Sequence, residues 1–256
     1  MFFIDVQGTL IDDIKREPID GAIEFIDKLN KLKIPYVVVT NNTKHKSEEF
    51  LKYLNDIGFS INSNSYIDPL MVLNEIVKEK DILAFGTEEF LNILEDNNFN
   101  LNTKNPKAVI VSVKKDFNNE EFAIMIEALL NGAKLFGMHQ TTLYAKDGKR
   151  YPGVGAILEM LKFATNKEFE IVGKPSVNFY QKAKEKLKAK NFSDITIISD
   201  DVKGDLIGAK ELGLKTVFVL SGKYRDVNEI IPLLKEEQKP DLIYESIKGY
   251  KESLWI

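Results

Sequence analysis

The chain has 256 residues, 44% of them hydrophobic and 29% charged, which suits a folded protein of one large domain or two smaller ones and excludes a disordered one. Lys and Arg total 35 against 39 Asp and Glu, a net charge of −4, so no nucleic-acid partner is expected: binding a phosphate backbone takes a strongly basic surface. The absence of cysteine excludes disulfides, thiolate zinc sites and cysteine nucleophiles. Residues 1–5 do not read as a signal peptide, and no stretch approaches the ~20 apolar residues of a membrane-spanning helix, so a cytoplasmic protein with no membrane partner is expected.

Short β-branched strands alternate with amphipathic helices along most of the chain. A buried strand over 1–6 ends in Gln7-Gly8-Thr9. Pro18 opens a helix whose apolar residues, Ala22, Ile23, Phe25, Ile26 and Leu29, recur at helical spacing. A second strand over 34–39 closes in Thr40-Asn41-Asn42-Thr43, polar residues able to cap the helix that runs on to 54. In the middle, strands are expected over 81–85 and 107–113, and helices over 88–94 and 120–130. Short strands over 134–138 and 141–145 precede a turn at Lys146-Asp147-Gly148-Lys149. The asparagine-rich stretch 97–106 reads as a loop, and a helix is expected over 154–163.

The first rhythm then returns, with a strand over 169–172 before Gly173-Lys174-Pro175 and a helix over 177–187. A strand over 195–199 ends in Asp200-Asp201, and another helix leads to a strand over 215–220. Such alternation predicts parallel sheets covered by helices. The fold class is α/β: a Rossmann-like, doubly wound parallel core over 1–77 and 168–256, with an inserted α/β cap domain over 78–167. Trp255 is expected to anchor the end of the chain against the core.

In open parallel sheets, ligands bind beyond the carboxyl ends of the strands. Four such ends carry complementary residues: Asp5 with Gln7-Gly8-Thr9, Thr40-Asn41, Lys174, and Asp200-Asp201 with Asp205. Taken singly each is ordinary, a turn, a helix cap, a loop and an acidic helix start. Together they meet the needs of phosphoryl transfer. A carboxylate attacks phosphorus and forms an acyl phosphate that water hydrolyses. Magnesium, held by one or two carboxylates, offsets the repulsion between that carboxylate and the phosphate. Hydroxyl, amide and ammonium donors clamp the remaining oxygens. Asp5, Asp200 and the main-chain carbonyl at Gln7 are the candidate metal ligands, and Thr40, Asn41 and Lys174 the phosphate donors. Gly8 lets the backbone approach the phosphate.

In this order the motifs resemble those of the haloacid dehalogenase superfamily: Phe3-Ile4-Asp5-Val6-Gln7-Gly8-Thr9-Leu10, Val39-Thr40-Asn41, Gly173-Lys174-Pro175 and Ser199-Asp200-Asp201-Val202-Lys203-Gly204-Asp205. Thr40-Asn41-Asn42-Thr43, Pro152-Gly153-Val154-Gly155-Ala156 and Leu220-Ser221-Gly222-Lys223-Tyr224 are similar to the NagD and p-nitrophenylphosphatase branch, which inserts a large α/β cap between the second and third motifs. Within that branch, the tail from Asp200 to Arg225 resembles the phospholysine phosphohistidine inorganic pyrophosphate phosphatase-like members. The resemblance spans nearly the whole chain.

It implies a magnesium-dependent phosphatase of a small phosphorylated metabolite, with Asp5 as nucleophile and metal ligand. Thr40, Asn41 and Lys174 would hold phosphate, Asp200 would complete the metal site, and Asp205 would support the metal through water or orient its neighbours. A substrate-selecting loop is implied at Met138-His139-Gln140-Thr141-Thr142-Leu143-Tyr144, which makes His139, Gln140 and Tyr144 specificity candidates against a plain surface loop. The resemblance also allows a homodimer through the cap.

One catalytic position departs from the pattern. Most phosphatases of the superfamily carry a second aspartate two residues after the nucleophile, where it protonates the leaving oxygen and later activates water; here that residue is Gln7. A primary amide donates hydrogen bonds but exchanges no proton near neutral pH. Losing such a group costs roughly 10²–10⁴-fold in rate. Three readings stay open: a substrate with a stable leaving group, a replacement acid from the cap or the Asp12-Asp13 pair, or a phosphometabolite-binding protein with little turnover.

Overall fold

The computed structural model describes residues 1–146 and 149–254, so Trp255 and the tip of the expected turn at 147–148 lie outside the described residues. The chain divides into two compact units, Met1–Thr40, Glu48–Ile67 and Tyr180–Ile256 in the first, and Asn41–Ser47 and Asp68–Phe179 in the second. Among the described residues no helix is long and apolar enough to cross a membrane.

The first unit is built on six parallel strands: β1 (Phe2–Ile4), β2 (Tyr36–Val39), β3 (Tyr66–Ile67), β10 (Thr196–Ser199), β11 (Lys215–Val219) and β12 (Leu242–Tyr244), in the order β12-β11-β10-β1-β2-β3. From β1 the chain steps outward through β2 and β3; from β10 it steps the other way through β11 and β12. The direction of winding therefore reverses between β1 and β10. At such a switch point the loops beyond the carboxyl ends part and leave a crevice for a ligand.

Both faces of this sheet are covered, which is why β1 and β2 are unbroken apolar runs rather than alternating ones. Ile4 and Val38 pack with Phe25 and Leu29 of α1 (Ala22–Leu32), Phe50 and Leu54 of α2 (Ser47–Asp56), and Ile247 and Tyr250 of α9 (Ile247–Leu254). On the opposite face Phe3 stacks on Tyr180 of α7 (Val177–Leu187), ring centroids 6.0 Å apart. The apolar face predicted for α1 is the buried one, but the helix starts at Ala22 rather than at Pro18. Pro18 is held extended instead, in a bridge with Ile11, while the Ile19 amide donates to the Leu10 carbonyl.

The second unit has a four-stranded parallel sheet in the order β4-β5-β6-β9, made of β4 (Ile82–Phe85), β5 (Ala108–Val111), β6 (Lys134–Gly137) and β9 (Phe169–Ile171). An antiparallel ribbon, β7 (Leu143–Lys146) with β8 (Lys149–Pro152), is also present. Helices α3 (Pro69–Ile76), α4 (Glu88–Asp96), α5 (Asn119–Leu130) and α6 (Val154–Thr165) complete the unit. Val109, Val111 and Leu135 of the sheet pack against Met125 and Leu129 of α5 and Leu158 and Leu161 of α6. A capping box starts α5: the Asn118 side chain accepts the Glu121 amide, and the Glu121 carboxylate accepts the Asn118 amide. The strand expected over 169–172 is present as β9, and it pairs with β6 of this sheet.

Candidate active site

Asp5 lies one residue past β1, and its amide donates to the Ile198 carbonyl at 2.9 Å, extending the β1–β10 pairing to the candidate nucleophile. The residue is only 5% exposed. The chain then turns sharply: the Val6 carbonyl accepts the amides of Thr9, Leu10 and Ile11. Gly8 occupies the left-handed region at φ 73°, and a β-carbon there would come 2.2 Å from Asp200 Oδ2. Both torsion and space therefore demand glycine.

Asp200, just beyond β10 and 5% exposed, is held from the far side as well. Its Oδ2 accepts the Lys223 amide at 2.6 Å, and Gly222 packs so closely that a β-carbon would lie 2.0 Å from the same oxygen. The Ser221 hydroxyl donates to the Gly8 carbonyl at 2.6 Å. Thus the loops after β1, β10 and β11 are fastened together. Burial pushes the Asp200 carboxyl well above the ordinary carboxylate range; the charges of Asp5, Asp13 and Asp201 add to this, and the Lys223 amide opposes it.

Thr40, at the end of β2 and fully buried, donates its hydroxyl to Gln7 Oε1 at 3.1 Å. Gln7 thus sits beside the expected phosphate donor. Asp205, 2% exposed, accepts the Ser199 hydroxyl at 2.6 Å on its Oδ2, and its carbonyl accepts the hydroxyl of Tyr180 at 3.4 Å. Asp201 caps the short turn that follows: its Oδ1 accepts the Gly204 amide and its Oδ2 the Lys223 ammonium. Of the Asp12-Asp13 pair, Asp12 is occupied, its Oδ1 accepting the amides of Ile14 and Lys15, which lower its pKa. Asp13 keeps an exposed edge, yet crowding by protein and then the Asp12 charge push its carboxyl up.

The first unit therefore gathers Asp5, Gln7, Gly8, Thr40, Asp200 and Asp205, and the second holds the other predicted residues. Lys174 is 2% exposed, and its amide donates to Asn41 Oδ1 at 2.9 Å, so the two donors expected from separate motifs are directly joined. Asn42, next to Asn41, donates to Asp68 and to the His45 carbonyl, which anchors the segment within this unit. His139 is buried just beyond β6 and Gln140 half-buried. Tyr144 stacks on Tyr151 with ring centroids 5.4 Å apart, and its hydroxyl donates to the Lys114 carbonyl. Sequence reasoning missed Ser199, Ser221 and Lys223 as supports. The signal for the last two was present, a Ser-Gly-Lys run at the end of the strand that pairs with β10.

The donors in the first unit fit a hard, magnesium-type cation. They are two buried carboxylates, Asp5 and Asp200, that follow adjacent central strands. Among the described residues no group of three or more His, Cys, Asp or Glu is placed to hold a metal ion by itself.

Known proteins resemble this chain in sequence and in fold. The family description "Haloacid dehalogenase-like hydrolase" matches residues 2–100, and a HAD-hydrolase-like description matches residues 171–249. An acid sugar phosphatase of Staphylococcus saprophyticus is 25% identical, covering 92% of this chain and 98% of its own. Among solved structures, a p-nitrophenyl phosphatase from Archaeoglobus fulgidus superposes with a TM-score of 0.85 at 21% identity over 98% of both chains. NagD from the E. coli K-12 strain does so at 0.79 and 22% over 96% of both. The chain belongs to the haloacid dehalogenase-like hydrolases, and its fold is that of the NagD and p-nitrophenyl phosphatase structures.

Proposed function

We propose that this protein is a magnesium-dependent phosphatase of small phosphorylated metabolites that works through an aspartyl phosphate on Asp5. The observation that carries the reading is the pairing of two buried carboxylates, Asp5 and Asp200, at the switch point of the sheet, with Asp200 pushed well up by burial and by its neighbour's charge. Such a pair is costly alone and is relieved by a divalent cation. Bound magnesium would supply charge neutralisation between carboxylate and phosphate, held by Asp5, Asp200 and the Gln7 carbonyl, with Asp205 in support.

Asp5 attacks phosphorus as the bond to the leaving oxygen breaks, and water then cleaves the acyl phosphate to release inorganic phosphate and restore Asp5. Thr40, Asn41 and Lys174 donate to the phosphoryl oxygens as charge redistributes. Gln7 gives no proton to the leaving oxygen, so substrates with stable leaving groups, such as aryl and acyl phosphates, are favoured. Of the two acids, Asp13 is the one whose surroundings favour the protonated form, since its pKa is raised while that of Asp12 is lowered. The supporting relatives include an acid sugar phosphatase, which agrees with a phosphorylated metabolite as substrate. His139, Gln140 and Tyr144 remain the specificity candidates.

Steady-state hydrolysis of p-nitrophenyl phosphate should require magnesium and fall to background in Asp5→Asn. Activity that persisted unchanged in that variant would rule out the aspartyl mechanism. A second reading, a phosphometabolite-binding protein with low turnover, is favoured by one contact, the Thr40 hydroxyl donated to Gln7. It predicts ligand binding without phosphate release from any ester tested.

A further inference from the structure

Lys223 occupies an unusual place beside the acidic loop. Its amide donates to Asp200 Oδ2 at 2.6 Å, while its ammonium reaches Asp201 Oδ2 at 2.9 Å. One residue thus grips two successive carboxylates of the loop 200–206 from the neighbouring loop after β11. The ammonium is largely sheltered, its side chain 27% exposed against 18% for Asp201, so this pair is screened less than a surface ion pair. Both carboxylate oxygens of Asp201 are engaged: Oδ1 takes the Gly204 amide at 2.9 Å, and Oδ2 takes Lys223. The Asp201 amide in turn donates to Ser199 Oγ, whose hydroxyl donates to Asp205. Asp200 and Asp205 are therefore held by a network that Lys223 and Asp201 close.

We propose that Lys223 is a positioning residue for the metal site, clamping Asp200 through its main chain and the acidic loop through its ammonium–Asp201 pair. Asp201 is then the partner of the clamp and not a metal ligand. This rests on the magnesium reading of Asp5 and Asp200. The physics makes the sign of the test informative. A lysine that acted only as a nearby charge would repel a divalent cation, so removing it would tighten binding. A lysine that positions the ligands does the opposite, and outer supports of this kind are worth roughly 10–100-fold in metal affinity.

The test is titration of the full-length, metal-free protein with Mn²⁺, followed by electron paramagnetic resonance, which needs no turnover. Mn²⁺ binding by the unaltered protein tests the magnesium reading itself; absence of binding overturns that reading and this proposal with it. Given binding, Lys223→Met should weaken it by about 10–100-fold. Lys223→Arg should restore most of the loss. The double variant Lys223→Met with Asp201→Asn should bind no worse than the weaker single variant, because the two side chains act as one unit. Lys210→Met, which breaks a comparable pair with Asp241 elsewhere in the same unit, should leave Mn²⁺ affinity unchanged. Unchanged or tighter binding in Lys223→Met overturns the proposal. If Lys223→Met does not fold, Asp201→Asn takes its place, and wild-type affinity in that variant overturns the proposal equally.

Discussion

The two parallel sheets bury apolar strands in the same way, β1 and β2 in one and β5 in the other, yet their carboxyl ends carry different groups. Beyond the six-stranded sheet stand Asp5, Thr40, Asp200 and Ser221, with two buried carboxylates at adjacent central strands. Beyond β5 and β6 of the four-stranded sheet stand neutral Ser112 and the histidine His139, and the buried cation Lys174 follows the edge strand β9. Among these residues the four-stranded end sets no like-charged acids side by side. A sheet end with paired buried acids carries an electrostatic cost that fits a site built for a cation and an anion together.

That contrast can be sharpened by restoring what Gln7 lacks. Gln7→Asp should raise turnover of alkyl phosphates by roughly 10²–10⁴-fold, and that of p-nitrophenyl phosphate by less, because the aryl leaving group needs no proton. Equal gains on both would show that position 7 does not govern leaving-group protonation. The four-stranded unit is tested by Lys174→Met, which keeps bulk at a buried site while removing the ammonium. A fall in kcat/KM of about 10²–10³-fold is expected, as for other preorganised donors. A variant as active as its parent would confine the chemistry to the six-stranded unit and break the comparison.

The smallest effect is on stability. The folded pKa of Asp200 is raised, so its ionisation costs nothing below the ordinary value of 3.8 and progressively more as pH climbs through the folded value. In metal-free protein, Asp200→Asn should therefore raise Tm at pH 7 by a few degrees, each kcal/mol being worth about 2–4 °C in a chain of this size. Calorimetry in chelator should show that advantage shrinking as pH falls toward 4. An advantage that grew with acid would contradict the buried-charge account.

Much of this protein is readable from residue order. Continuous apolar runs at 2–4 and 36–39 mark strands buried on both faces, and the 3.6-residue spacing of Ala22, Phe25, Ile26 and Leu29 marks the inner face of α1. The motifs at Asp5, Thr40, Lys174 and Asp200 are legible because each follows a strand and the chemistry requires those residue types. Such signals are local, set by torsion preferences and side-chain periodicity within a few residues.

Pairing between distant segments is another matter. Periodicity places a strand at 169–172 but does not say that it joins β6, and the ribbon strand at 149–152 has no apolar alternation to announce it. Nor does residue order reveal that Gln7 takes the Thr40 hydroxyl, or that Asn41 accepts the Lys174 amide across 133 positions. Lys223 reaches Asp200 and Asp201 across more than twenty. These contacts exist because hydrophobic burial fixes where each loop emerges, and buried polar atoms must then find whatever partners that packing brings within reach. Residue order sets the elements and the chemical inventory, and long-range packing sets which of those groups meet.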